Sequence, residues 1–202
     1  ANERVGRYII EDDYDSEFRL NGKPIPPLFS MDACEKVIYM NTFSKSLTPT
    51  IRISYMVLPV HLINRFYREL SFYACTVSNF EQYTLAAFIR KGYFEKHINR
   101  MRLYYSRQRK KMIETIRKSR LHDVCEIMEN DSGLHFLIRI KTDKEDGEIL
   151  RALRERGIRV NALSEYFFTP SDRKHCFIIN YSNIDTEKAG EACDIFYEML
   201  TE

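Results

Sequence analysis

The chain has 202 residues, 44% of them hydrophobic and 30% charged, with only 7 Gly and 6 Pro. This is the composition of an ordinary globular protein, and it excludes disorder, collagen and low complexity. Lys plus Arg number 31 against 29 Asp plus Glu, a formal net charge of +2 that supplies no global field for nucleic acid or an anionic membrane.

The first 60 residues carry three short apolar runs rich in β-branched side chains, RYIIE at 7–11, KVIYMN at 36–41 and ISYMVL at 53–58. Each is predicted as a buried strand. KPIPP, at 23–27, reads as a loop because its three prolines withhold backbone donors. The second and third runs are only about ten residues apart, with Pro49 between them, whereas a parallel crossover takes about a dozen or more. The third strand is therefore expected to be antiparallel, at or near a sheet edge. From Pro59 to about Ser119 the apolar period becomes helical: Leu62, Phe66 and Leu70 share a face, Tyr83 and Ala87 continue the register, and Gly92 is a break. Beyond it, Ile98, Met101, Tyr105, Met112 and Ile116 form an apolar stripe. The remainder reads as strands at 125–128 and 134–140, a helix at 144–156, strands at 158–162 and 176–181, and a helix from Thr186, a small α+β layer.

Three strands do not make an α/β sheet with both faces covered, so residues 1–60 read as the second half of a larger domain. The absence of an initiator Met reads as a boundary inside that fold. Residues 1–10 lack the order of a secretory leader, and the longest apolar runs, such as 54–60, fall far below the roughly 18 residues that cross a bilayer. Cys34, Cys75, Cys125, Cys176 and Cys193 are an odd set at wide spacings with no CxxC pair. They fit neither a disulfide framework nor a zinc site, and a reducing cytoplasm is the natural setting.

Two segments carry chemistry. Asp12, Asp13 and Tyr14 directly follow the first strand, and NTFSKSLTPTIR, with Thr42, Ser44, Lys45 and Arg52, follows the second. Both lie at carboxyl ends of strands, where open α/β sheets gather ligand groups. Either segment alone is an ordinary solvated loop or helix cap.

Together, EDDYDSEF and NTFSKSLTPTIRISYMVLP resemble the second half of a fold-type I, pyridoxal-phosphate-dependent aminotransferase domain. More narrowly, the chain is similar to the effector domain of MocR-type regulators of the bacterial GntR family, and the similarity runs on through GYFEKHINRMRLYYSRQRKKM, SGLHF and GIRVNALSEYFF. The fold class so implied is α/β, the C-terminal portion of the aspartate aminotransferase-like fold. Residues 1–60 would be a partial large cofactor-binding domain, 61–119 connecting long helices, and 120–202 a small α+β domain.

The resemblance implies roles residue by residue. Lys45 matches the lysine that forms the internal aldimine with pyridoxal 5'-phosphate. Asp12 matches the carboxylate that keeps the pyridine nitrogen protonated, with Asp13 the weaker candidate, and Tyr14 the phenol beside the ring 3-oxygen. Packing alone is the other reading of Tyr14. Arg52 matches the phosphate-gripping arginine, with Thr42 and Ser44 as hydroxyl donors to the same phosphate; a backbone-bonding turn is the alternative for Ser44. No metal is implied. The family's carboxylate-binding arginine falls at Ile178 in FIINYS, an apolar side chain that cannot pair with a carboxylate, which argues against ordinary amino-acid transamination; Arg173 and Lys174 are nearby basic residues.

The function so implied is a sensor of pyridoxal phosphate, or of an amino acid or amine joined to it through Lys45, in a bacterial transcriptional regulator. The alternative is an amino-acid aminotransferase. A homodimer is implied for the intact protein, DNA binding only through a domain outside this chain, and weak or no cofactor affinity for this chain by itself. Residues 100–120 hold nine basic residues and one acidic, Glu114. Because the apolar stripe claims one helix face, these read as a solvated face rather than a nucleic-acid site. His135 reads as a core or interface histidine, and Tyr166, Phe167 and Phe168 as a loop that the resemblance places near a pocket mouth.

Overall fold

The computed structural model describes residues 6–20, 25–128, 133–169 and 173–201. Lys23 and Pro24 of the KPIPP segment lie outside them. The chain divides into two compact units, Ala1–Met101 and Arg102–Glu202.

The first unit holds β1 (Ile9–Asp12), a 3-10 turn at Ser16–Phe18, α1 (Leu28–Met31), β2 (Val37–Thr42), α2 (Phe43–Ser46), β3 (Ser54–Val57), α3 (Val60–Leu70), α4 (Asn79–Arg90) and the start of α5 (Tyr93–Lys118). The strand order is β1-β2-β3. β1 and β2 are parallel, with Ile9 opposite Val37 and Asp12 opposite Met40. β2 and β3 are antiparallel, with Thr42 opposite Ser54, and β3 is an edge strand as its short connection requires. Glu11 ties the first strand to the following loop, since its carboxylate accepts the Leu28 and Phe29 amides at 2.7 and 2.9 Å, at the N-terminus of α1.

The expectation of buried strands is corrected here. Every residue of β3 is exposed, and β1 alternates half-buried and exposed, with Ile10 at 66%. The apolar runs are real, but among the described residues nothing covers Ile10, Met40 and Met56, which share a face and are all exposed. Apolar sequence predicts a strand's tendency to be covered rather than the presence of its cover. Likewise α3 and α4 contain no buried residue, and Tyr83 is 73% exposed. Gly92 makes the predicted break, taking φ +71 between α4 and α5, a left-handed conformation that glycine adopts without steric cost. On α5 the stripe is inward: Ile98, Met112 and Ile116 are buried, and Met101 and Tyr105 are half-buried.

The second unit comprises the rest of α5, α6 (Leu121–Val124), β4 (Cys125–Met128), β5 (His135–Ile140), α7 (Asp146–Glu155), β6 (Asn161–Ala162), a 3-10 turn at Leu163–Tyr166, β7 (Cys176–Asn180) and α8 (Ala189–Thr201). Its antiparallel sheet has the order β4-β5-β7-β6. The core is well formed, with Phe136, Ile138, Ile149, Leu153 and Phe177 all at 0% exposure. Tyr181, 1% exposed, donates its hydroxyl proton to the Gly133 carbonyl at 2.6 Å. β6 is shorter than the predicted 158–162 because Ile158 closes the end of α7, its amide bonding the Leu153 carbonyl at 2.8 Å. His135 lies on the sheet face opposite the Phe136, Ile138 and Ile140 core and is half-buried, so of the core and interface readings the core one does not apply. No helix among the described residues is long and apolar enough to cross a membrane.

Candidate functional site

The two segments singled out from sequence meet at the carboxyl ends of the adjacent parallel strands β1 and β2. β1 ends at Asp12, whose in-register partner is Met40, and the Asp13 amide extends the ladder by bonding the Met40 carbonyl at 2.9 Å. Successive side chains of a strand point to opposite faces. Asp12 thus shares the open face with Ile10, Met40 and Met56, is exposed, and makes no hydrogen bond or ion pair among the described residues. Asp13 turns to the other face, where its Oδ2 accepts the Tyr39 hydroxyl proton at 2.8 Å. Tyr14 is 44% exposed, so packing does not account for it. Repulsion from Asp15, then burial and Asp12, push its phenol above the ordinary range, and the hydroxyl remains a donor at neutral pH.

β2 runs directly into α2. Thr42 caps that turn, its Oγ1 accepting the Ser44 amide at 3.2 Å and donating to the Ile53 carbonyl at 3.3 Å. The Ser44 hydroxyl donates to the Ile51 carbonyl at 2.7 Å and accepts from the Arg52 guanidinium at 3.4 Å. Thr42, Ser44 and Arg52 are therefore gathered by one connected set of contacts, although 42 and 52 are ten positions apart. The backbone-bonding role of Ser44 and its place beside Arg52 hold together, since one hydroxyl serves both. Lys45, in the same turn, is exposed and has no hydrogen bond or ion pair among the described residues.

Three groups beneath this end of the sheet carried no signal in the sequence. Asn41, 4% exposed, donates from Nδ2 to the Tyr39 oxygen at 2.9 Å and accepts the Thr42 amide on Oδ1. The rings of Tyr39, Tyr55 and Phe43 follow one another with centroids 6.2 and 5.5 Å apart. Burial pushes the Tyr39 and Tyr55 phenols up. The only sequence trace of this layer is that Tyr39 and Asn41 are two positions apart on a strand. An apolar cavity of about 350 Å³ lies under the 47–53 loop, lined by Leu47, Ile51, Ile53, Leu85, Phe88 and His97 among others, and includes neither Lys45 nor Asp12.

Other sequence candidates lie apart from this cluster. Ile178 is half-buried in β7, opposite Leu137, and no charge stands at that position. Lys174 reaches Glu145 at 3.9 Å, both largely exposed. Tyr166, Phe167 and Phe168 are 62%, 43% and 109% exposed, with the Tyr166 hydroxyl accepting from Asn161 at 3.0 Å. On α5, Lys110 pairs with Glu114 and Lys111 with Glu187, and both lysines are exposed, as expected of a solvated face. No His, Cys, Asp and Glu group among the described residues could hold a metal ion.

Residues 10–196 match the family model of aminotransferase class I and II. The chain belongs to that family. Solved aminotransferases share its fold: the kynurenine aminotransferase of Pyrococcus horikoshii superposes with a TM-score of 0.81 at 24% identity, over 96% of this chain and 48% of that one. Aromatic aminotransferase Aro9 of C. albicans gives a TM-score of 0.82 at 19% identity. Curated relatives include regulators and an aromatic-amino-acid aminotransferase of Thermococcus litoralis, 26% identical over 96% of this chain and 46% of that one. The HTH-type transcriptional regulator YdeL of Bacillus subtilis is 41% identical over 157 residues, 78% of this chain and 34% of that protein. The probable rhizopine catabolism regulatory protein MocR of Rhizobium meliloti is 37% identical over 189 residues, 94% of this chain and 38% of that one. The chain thus spans about a third of the length of these regulators.

Aminotransferases of class I and II depend on pyridoxal phosphate, and the donor set here fits that cofactor. A guanidinium beside two hydroxyls suits a phosphate, an exposed carboxylate without a protein partner suits a pyridinium, and an unpaired primary amine suits an aldehyde.

Proposed function

We propose that this chain is the lysine-bearing side of a pyridoxal-phosphate site in the effector domain of a bacterial transcriptional regulator. The observation that carries the reading is the convergence at one end of the β1–β2 pair: an unpaired amine on Lys45, an unpaired carboxylate on Asp12, and the Thr42, Ser44 and Arg52 cluster. When bound, the cofactor supplies an aldehyde that condenses with primary amines and an electron-withdrawing ring. Arg52 and the two hydroxyls would hold its phosphate, Asp12 would keep its ring nitrogen protonated, Tyr14 would donate to the ring oxygen, and the Lys45 amine would hold the aldehyde carbon.

Residues 1–60 would belong to the large domain of the cofactor site, 61–119 to connecting helices, and 120–202 to a small domain. The full-length protein would work in the cytoplasm as a homodimer, and would contact DNA through a part related to the helix-turn-helix portions of YdeL and MocR. An amino acid or amine would be sensed at the cofactor. Ile178, apolar where an aminotransferase needs a cation for the substrate carboxylate, favours sensing over turnover.

The test is borohydride treatment of the full-length protein with pyridoxal phosphate, followed by peptide mapping. A pyridoxyl adduct on Lys45, lost in Lys45→Ala, is expected. Its absence from the parent protein would overturn the proposal, and repeated release of keto acid from an amino donor would replace the sensor by an enzyme.

A further inference from the structure

Two aspartates stand side by side at the end of β1, and both are within reach of the same end of the sheet. Alternation along the strand sends their side chains to opposite faces, but Asp13 lies just past the last residue of β1 and needs an anchor of its own. The structure contains a device that separates them. Asp13 is held on the lower face by the Tyr39 hydroxyl at 2.8 Å, Tyr39 is held in turn by the Asn41 amide at 2.9 Å, and Asn41 is buried and accepts the Thr42 backbone amide. The chain of contacts therefore runs from the segment that carries Thr42, Ser44 and Lys45 to the segment that carries Asp12 and Tyr14, across β2.

We infer that Tyr39 is a positioning residue that assigns the two carboxylates: by holding Asp13 below the sheet, it leaves Asp12 as the carboxylate on the cofactor face. The inference rests on the pyridoxal-phosphate reading above. Three features of the network support it. The contact is directional, with the Tyr39 hydroxyl donating and the Asp13 carboxylate oxygen accepting. Hydrogen bonds to a charged group are stronger than neutral ones. And the phenol, pushed up mainly by burial, keeps its proton throughout the physiological range, so the tie does not come and go with pH.

Removing the Tyr39 hydroxyl, a neutral donor, leaves the net charge unchanged but frees the Asp13 carboxylate to turn toward the site. A nearby anion stabilises the protonated form of a titrating group, so the bound cofactor's absorbance should titrate at higher pH. A purely structural role for Tyr39 would lower stability or affinity without moving that midpoint.

The experiment uses the full-length protein with pyridoxal phosphate as the probe, reading affinity and the pH midpoint of the bound cofactor's absorbance. Asp12→Asn is expected to weaken binding by at least tenfold, whereas Asp13→Asn, whose amide oxygen still accepts from Tyr39, should stay within about twofold of the parent. Tyr39→Phe should raise the pH midpoint by about half a unit or more, and adding Asp13→Asn to it should return the midpoint to the parent value. Loss of binding in Asp13→Asn, or an unchanged midpoint in Tyr39→Phe, would overturn the inference while the Lys45 adduct stands. Should Tyr39→Phe fail to fold, the Asp12→Asn and Asp13→Asn pair decides by itself. Absence of the Lys45 adduct in the parent would remove the cofactor reading and, with it, the assignment.

Discussion

At the scale of single residues, chemistry was legible and orientation was not. Lys45, Asp12 and Arg52 are legible through the resemblance of their two segments to a known family, but the faces that Asp12 and Asp13 take depend on the β1–β2 register and on Tyr39, 26 positions from Asp13. Local pattern cannot supply such a partner. Buried thiols give a pH prediction at this scale. Burial is the main cause that pushes Cys125 from 9.0 to about 11, and Cys193 shifts up for the same reason. A raised folded value means that the neutral thiol is favoured in the native state. Its contribution is fully present below the unfolded value and is lost as pH rises from about 9 toward 11. For Cys125 that is about 2–3 kcal/mol. Urea unfolding of the parent should weaken across that window, and Cys125→Ala should flatten the dependence. An equal slope in both proteins would show that the thiol is not responsible.

Among the elements, helix periods and turn residues carried most of the information. The antiparallel third strand followed from its short connection, and the break at Gly92 from glycine alone. Burial was misread where none of the described residues covers an apolar side, as for β3 and the outward sides of α3 and α4. Because α4 has no buried residue, its local contacts matter more than usual. The Ser78 hydroxyl accepts the Glu81 amide at 3.3 Å and donates to the Glu81 carboxylate at 2.8 Å, capping the helix. Ser78→Ala should cost about 1 kcal/mol, a roughly fivefold fall in hydrogen-exchange protection over Gln82 to Arg90, with Ser78→Asp restoring it. Unchanged protection in Ser78→Ala would mean that packing, rather than the cap, holds α4.

For the whole molecule, the contrast between the units is informative. Among the described residues, Arg102–Glu202 has a closed core of fully buried residues, whereas Ala1–Met101 has one sheet face and two helices with no buried residue. Residues 1–202 by themselves should bind pyridoxal phosphate at least about tenfold more weakly than the full-length protein, since on the proposed site the donors present would hold only the phosphate, the ring nitrogen, the ring oxygen and the aldehyde; equal dissociation constants in parallel titrations would contradict this. β3 has a further consequence. Ser54, Tyr55, Met56 and Val57 are all exposed, and one flank of the strand has no ladder partner among the described residues. Uncapped amides and carbonyls beside Tyr, Met and Val form a template on which another chain can add a strand. A polypeptide cut to these boundaries would be prone to edge-to-edge aggregation, and a charged substitution such as Met56→Lys would protect it during purification.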